Sequence, residues 1–242
     1  MKQPLPLLAS LLLVLTGCHG IFDDIYDDAP ADSDFAEGFK NEDSHLVLMV
    51  DATSYEEWIF VDLHDLTLAR RPIPLTLTDE QWDGKSGISY YLVHGNEYTE
   101  LSITPTNAQT TPEKWDFAIH HFDVMTNGGS AAVAPSQLLS KATAEVATTL
   151  NYTPDQWSTH NVIVDLQGMI AYQIGYQNSY FNPVISNWAT MDFSSPPPTY
   201  STSGDVYYLR LPDSTTAAMQ LRSYMSPHGS KGYLTIDIKY PL

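Results

Sequence analysis

Leu234-Thr235-Ile236-Asp237-Ile238-Lys239-Tyr240 alternates apolar and polar side chains at every step. A period of two puts the apolar set on one face of an extended chain, which is the pattern of a half-buried β-strand. Working back from it, residues 219–224 form a second such stretch. The connection Ser226-Pro227-His228-Gly229-Ser230-Lys231-Gly232 is rich in turn formers, so the two stretches read as a hairpin with a longish loop. Asp205-Val206-Tyr207-Tyr208-Leu209-Arg210-Leu211 also alternates and stops at the turn Pro212-Asp213. Further strand candidates are residues 46–51, 88–94, 97–103, 115–124, 161–166 and 169–174. Turn chemistry falls between them at Asn127-Gly128-Gly129 and Gln167-Gly168. Helical periodicity is weak: its best window is residues 135–146, and residues 154–157 make one turn at most. No repeat of fixed period is present. The expectation is an all-β, mostly antiparallel sandwich or barrel-like fold with little helix.

The other end of the chain has a different character. Lys2, the apolar run 11–15 and the small residues before Cys18 form an export signal, a basic start followed by a short apolar core and a cleavage site. The stretch is shorter than the roughly 20 apolar residues a membrane-spanning helix needs. Cys18, the only cysteine, stands where a bacterial lipoprotein carries its acylated residue, and two or more acyl chains anchor a protein stably. The expected organisation is therefore a signal peptide at 1–17, the lipidated Cys18 with an acidic tether at 18–44, and the β domain at 45–242. Between residues 23 and 43 there are nine acidic residues and one Lys, Lys40. So dense a charge resists collapse. The Asp pairs lack the spacing, central Gly and terminal Glu of an EF-hand.

Composition excludes several functions. The formal charge is −18, with 29 acidic residues against 11 basic ones. Such a surface repels phosphate backbones and anionic headgroups, so no nucleic acid is expected as a partner, and membrane attachment falls to the lipid. With Cys18 acylated no thiol remains for a disulfide or a thiolate metal site. No nucleophile elbow, phosphate-binding Gly-rich loop or His-Glu-x-x-His motif occurs, so no enzyme is expected.

His120-His121 sits inside a strand candidate, where neighbours point to opposite faces and both imidazoles cannot reach one ion. A hydrogen-bonded core or rim role is the better reading. His228 lies in the loop of the hairpin, and His45, His64, His94 and His160 have no ligand-like partners nearby in sequence. More unusual is the stretch 172–200, with Tyr172, Tyr176, Tyr180, Phe181, Trp188, Phe193 and Tyr200, preceded by Met169 and containing Met191. These aromatics either line a flat apolar pocket or serve as core and cross-strand pairs.

Several stretches resemble the HmuY family of outer-membrane haem-binding lipoproteins. They are Val50-Asp51-Ala52-Thr53-Ser54-Tyr55-Glu56-Glu57-Trp58 and Trp115-Asp116-Phe117-Ala118-Ile119-His120-His121-Phe122-Asp123-Val124. Thr126-Asn127-Gly128-Gly129, Val164-Asp165-Leu166-Gln167-Gly168-Met169-Ile170, Met191-Asp192-Phe193-Ser194 and Pro198-Thr199-Tyr200 follow in order, and the final hairpin completes the series. The resemblance implies an HmuY-type all-β fold with haem held by two side chains from separate loops, His pairs in some members and Met pairs in others. It also implies a non-catalytic role in haem capture or relay at the outer membrane, with a TonB-dependent haem receptor as partner. The sequence departs from the His pattern: residues 172–187 contain neither His nor Met, and Ser195 stands at the second ligand position. The implied cofactor-binding residues are Met169, Met191 and Tyr180. Met169 with Met191 would make a bis-thioether iron site and Tyr180 with Met191 a phenolate–thioether one; a third option is loss of iron ligation. Residues 172–200 offer no Lys or Arg to the haem propionates. The alternative function is a binding or adhesion lipoprotein on the same scaffold, with a non-haem ligand or a protein partner.

Overall fold

A computed structural model describes residues 34–74, 76, 82–192 and 199–242. The signal peptide, Cys18, most of the tether, and Phe193 and Ser195 lie outside the described residues.

Among the described residues seventeen strands follow one another: β1 (Gly38–Glu42), β2 (His45–Asp51), β3 (Glu57–Asp62), β4 (Thr67–Pro72), β5 (Gly87–His94), β6 (Glu97–Pro105), β7 (Phe117–His120), β8 (Asp123–Thr126) and β9 (Ser130–Ala134). After one short helix, α1 (Ala144–Thr149), come β10 (Thr153–Pro154), β11 (Gln156–Asp165), β12 (Gln173–Phe181), β13 (Ala189–Asp192), β14 (Thr199–Thr202), β15 (Val206–Arg210), β16 (Thr216–Met225) and β17 (Lys231–Lys239). All named pairings are antiparallel. They build a seven-stranded sheet in the order β1-β2-β17-β16-β15-β9-β10, two four-stranded sheets, β4-β3-β7-β8 and β11-β12-β5-β6, and the hairpin β13-β14. The mostly antiparallel all-β fold is as the alternating pattern led one to expect.

β3 shows how the layers stack. Trp58, Ile59, Phe60 and Val61 are all buried, so the strand reads as a continuous apolar run. Ile59 and Val61, with Phe117, Ile119 and Val124, pack against Leu48, Val50, Leu221, Leu234 and Ile236 of the seven-stranded sheet. Trp58 and Phe60 point the opposite way and pack with Val162 and Phe181 of the other four-stranded sheet. The sheet containing β3 is thus the middle of three layers. Each large side chain enclosed there contributes about 1.5–3 kcal/mol of transfer free energy. On the outer face of the seven-stranded sheet, Val206, Tyr208 and Ala218 are covered by Leu139, Ala142 and Ala147 around α1. The helix starts at Thr143, whose hydroxyl accepts from the Val146 amide at 3.3 Å.

Several elements differ from the sequence reading. Residues 115–124 are not one strand: the chain turns at His121, in the left-handed region at φ 56°, and β7 pairs back on β8. The weak helical window yields only α1 and the 3-10 turn Leu139–Lys141. Residues 154–157 are extended rather than turned, because they enter β10 and β11. The 169–174 strand candidate begins as a 3-10 turn, Met169–Ala171, and becomes a strand only at Gln173. Gly38–Glu42, read as the end of the tether, pairs with β2 through backbone bonds that its charged side chains do not oppose at a sheet edge.

Candidate functional site

At the β7–β8 turn the two adjacent histidines take different environments. His120 is fully buried, and its Nε2 donates to the Tyr55 carbonyl at 3.0 Å. Burial holds its imidazole down at about 4, so the ring is neutral at physiological pH. Its Nδ1 has no hydrogen-bond partner among the described residues. His121 lies between the hydroxyls of Tyr55 and Tyr224, both in short contact with its ring nitrogens. Tyr200 of β14 stacks on Tyr224, ring centroids 4.9 Å apart, and Lys231 places its ammonium 4.8 Å from the Tyr200 ring centroid. The result is an aromatic wall with imidazole behind it and a cation at its edge.

The three residues implied as haem contacts sit in three places. Met191 lies on β13 in register with Tyr200, which sets its backbone beside this wall. Met169 opens the 3-10 turn ahead of β12. Its amide donates to the Leu166 carbonyl at 2.9 Å, and its carbonyl accepts from Tyr172, whose φ of 60° ends the turn. Gly168 is needed there, since a Cβ would lie 2.8 Å from the Gln173 carbonyl oxygen. The turn exposes Ile170 and Tyr172, and the Tyr172 ring packs on His94 at 4.7 Å. Tyr180 lies near the far end of β12, against Trp157, with the Lys85 ammonium 3.4 Å from its hydroxyl and 3.7 Å from the Trp157 ring centroid. From Gln173 to Tyr180 the strand advances about 24 Å at roughly 3.4 Å per residue. No single iron takes both Met169 and Tyr180.

β12 and the residue after it bond to the middle sheet at two points. The Asn182 amide donates to the Val124 carbonyl on β8, and Gln177 Oε1 accepts from Trp58 Nε1 on β3 at 2.7 Å. Beyond Gln177 the strand continues past Trp58 towards the Met169 turn. The aromatics of 172–200 do not gather into one flat pocket. Tyr176 joins Tyr91, Tyr98 and His160 on the outer sheet, Phe181 enters the middle layer, and Trp188 is buried with its indole donating to the Phe122 carbonyl at 2.8 Å. Only Tyr200 reaches the wall beside Met191. The core and cross-strand reading holds for Tyr176, Phe181 and Trp188, while Tyr172 and Tyr180 are exposed.

Sequence reasoning looked for propionate partners within 172–200 and found none. Lys85 and Lys231 reach Tyr180 and Tyr200 from the β5 approach and from β17, which only tertiary structure reveals. Tyr55 and Tyr224 were missed for the same reason.

These features define an all-β protein of three layered antiparallel sheets with an aromatic and imidazole cluster at the β7–β8 turn. Among the described residues no helix is long and apolar enough to cross a membrane. The HmuY protein family matches residues 54–238. A Bacteroides fragilis protein described as a lipoprotein is 30% identical, over 88% of this chain and 99% of its own, with a TM-score of 0.65. A Bacteroides vulgatus protein described as HmuY-like and heme-binding is 31% identical over 86% and 99%, with a TM-score of 0.60. The apo HmuY analog of Tannerella forsythia shares the fold at 20% identity, over 86% and 99%, with a TM-score of 0.62. No curated protein matches the chain. The chain belongs to the HmuY family.

Proposed function

We propose that the chain is a non-catalytic haem-binding protein, anchored by lipid at Cys18 to the bacterial outer membrane, that captures haem and relays it to a TonB-dependent receptor. The carrying observation is the family match over residues 54–238, together with the heme-binding description of a relative 31% identical. The local chemistry fits the group. Half-buried Tyr200, backed by buried Tyr224, offers an aromatic ring with the Lys231 ammonium 4.8 Å from its centroid, and Met191 lies on the adjoining strand. Haem would be held by Met191 with Met169 from the exposed turn. Two thioethers are soft ligands and favour reduced iron. A second reading pairs Met191 with Tyr180, whose hydroxyl lies 3.4 Å from the Lys85 ammonium on an exposed stretch of β12.

The test is to mix the chain lacking its signal peptide with haem under oxidising and reducing conditions and follow the Soret and visible bands. A stoichiometric band shift is expected in at least one state. No shift in either would sink haem binding and leave the other reading, a binding or adhesion lipoprotein with a different ligand or a protein partner.

A further inference from the structure

The turn between β3 and β4 meets the start of β7 in a cluster unrelated to the aromatic wall. Asp62, His64 and Asp116 each offer one donor atom, and the three donors lie within 4.8 Å of one another. His64 Nδ1 is 3.3 Å from Asp116 Oδ2 and 3.9 Å from Asp62 Oδ1. Ligands about 2.1 Å from a tetrahedral zinc ion stand about 3.4 Å apart, so these separations already approximate such a shell.

The cluster has features that ordinary surface acids lack. Asp62 and Asp116 are each only 6% exposed, and their Oδ1 and Oδ2 atoms respectively accept from the backbone amides of His64 and Asp65 and of Leu63. Both residues line a cleft of about 360 Å³, shared with His64, Lys114 and Asp213. Two carboxylates so nearly buried beside one another repel, and a cation between them offsets that cost. Lys114 does not supply it, because its ammonium is 3.0 Å from Asp65 at the exposed rim. The imidazole is also oriented for ligation. His64 Nε2 lies 2.9 Å from Asp213 Oδ2 and 2.7 Å from the Tyr240 hydroxyl, so that Asp213 would keep a proton on Nε2 while Nδ1, which faces Asp116 Oδ2 at 3.3 Å, gives up its own to an ion. A carboxylate behind a histidine in this way is the usual outer shell of a metal-bound imidazole.

We propose that Asp62, His64 and Asp116 form a divalent transition-metal site, with zinc the best match to one imidazole and two carboxylates, and that Asp213 orients His64. The mixed nitrogen and oxygen set selects against calcium and magnesium, which take oxygen ligands. The ion would tie the β3–β4 turn, the start of β7 and the β15–β16 turn together at the end of the sandwich opposite the β7–β8 turn.

The test strips the purified protein with a chelator and titrates it with zinc chloride by calorimetry, with thermal melting as a second readout. One zinc per chain, bound saturably with a rise in Tm, is expected. His64→Ala, an exposed side chain whose loss leaves the backbone bonds to Asp62 and Asp116 intact, should abolish saturable binding. Asp213→Asn should weaken it by about 10- to 100-fold. No saturable uptake by the wild type overturns the proposal. So does zinc binding that His64→Ala leaves unchanged, which would place the ion on other acidic residues.

Discussion

Trp58 and Gln177, 119 residues apart in the chain, share a buried hydrogen bond of 2.7 Å that joins the middle sheet to the outer one. The Gln177 amide in turn donates to Gln109 at 2.9 Å. Because both partners lie where water does not reach, the bond matters more for what its loss leaves behind than for its own strength. Gln177→Leu strands the Trp58 indole N–H, and a loss of about 1–3 kcal/mol is expected in urea unfolding. Trp58→Phe in the Gln177→Leu background should cost less than in the wild type; equal costs would mean that the two side chains are not coupled.

The β7–β8 hairpin sets a pH dependence. Burial pushes the Asp123 carboxyl up to about 8 and holds His120 down at about 4. Between roughly pH 4 and 6.5 the two oppose: native Asp123 keeps a proton that the unfolded chain gives up, and unfolded His120 takes one that the native chain refuses. Above the ordinary histidine value of 6.5 only Asp123 remains, so stability falls as the pH rises towards about 8. In melting curves at stepped pH, Asp123→Asn should lack that decline. A wild type equally stable from pH 6.5 to 8 would show that Asp123 is not held protonated.

Close approach of β12 to its neighbours depends on Gly175. A Cβ at this position would lie 2.9 Å from both Asp165 Cβ and Tyr90 Cε1. Gly175→Ala should cost about 1–3 kcal/mol through overpacking. Its hydrogen exchange should rise first in β5, β11 and β12, which can be read by mass spectrometry.

The separation of Met169 from Tyr180 along β12 makes the two proposed ligand pairs distinguishable. With a bis-thioether pair, Met169→Ala weakens reduced-haem binding and Tyr180→Phe does not. A phenolate–thioether pair reverses this, with the loss appearing in the ferric state. Visible spectra of both variants in both states decide between them.

Alternation made the β class and the final hairpin legible, because residues 234–240 can bury one face only as a strand. It failed at residues 115–124, where apolar residues on both sides of His121 hide a turn that a non-glycine residue makes at φ 56°. It failed again at 154–157, whose extended form is imposed by pairing with partners distant in sequence. Met169 and Met191 were visible as soft ligands by residue type alone. Tyr55, Tyr224 and Lys231 lie in stretches that carry the family resemblance, but their place at the site arises only from tertiary packing around His121 and Tyr200. His64 was read as having no ligand-like partner nearby in sequence, yet Asp62, two residues away, lies beside it, and Asp116, Asp213 and Tyr240 join it through folding.

The proposed haem site turns on the thioether sulfur of Met191. The most direct measurement is titration of the wild type and Met191→Ala with haem, once in air and once with a reductant, followed at the Soret band. One haem per wild-type chain is expected, with tighter binding in the reduced state and a loss in Met191→Ala that is larger for reduced than for oxidised haem. Saturable wild-type binding that Met191→Ala leaves unchanged in both states would contradict it.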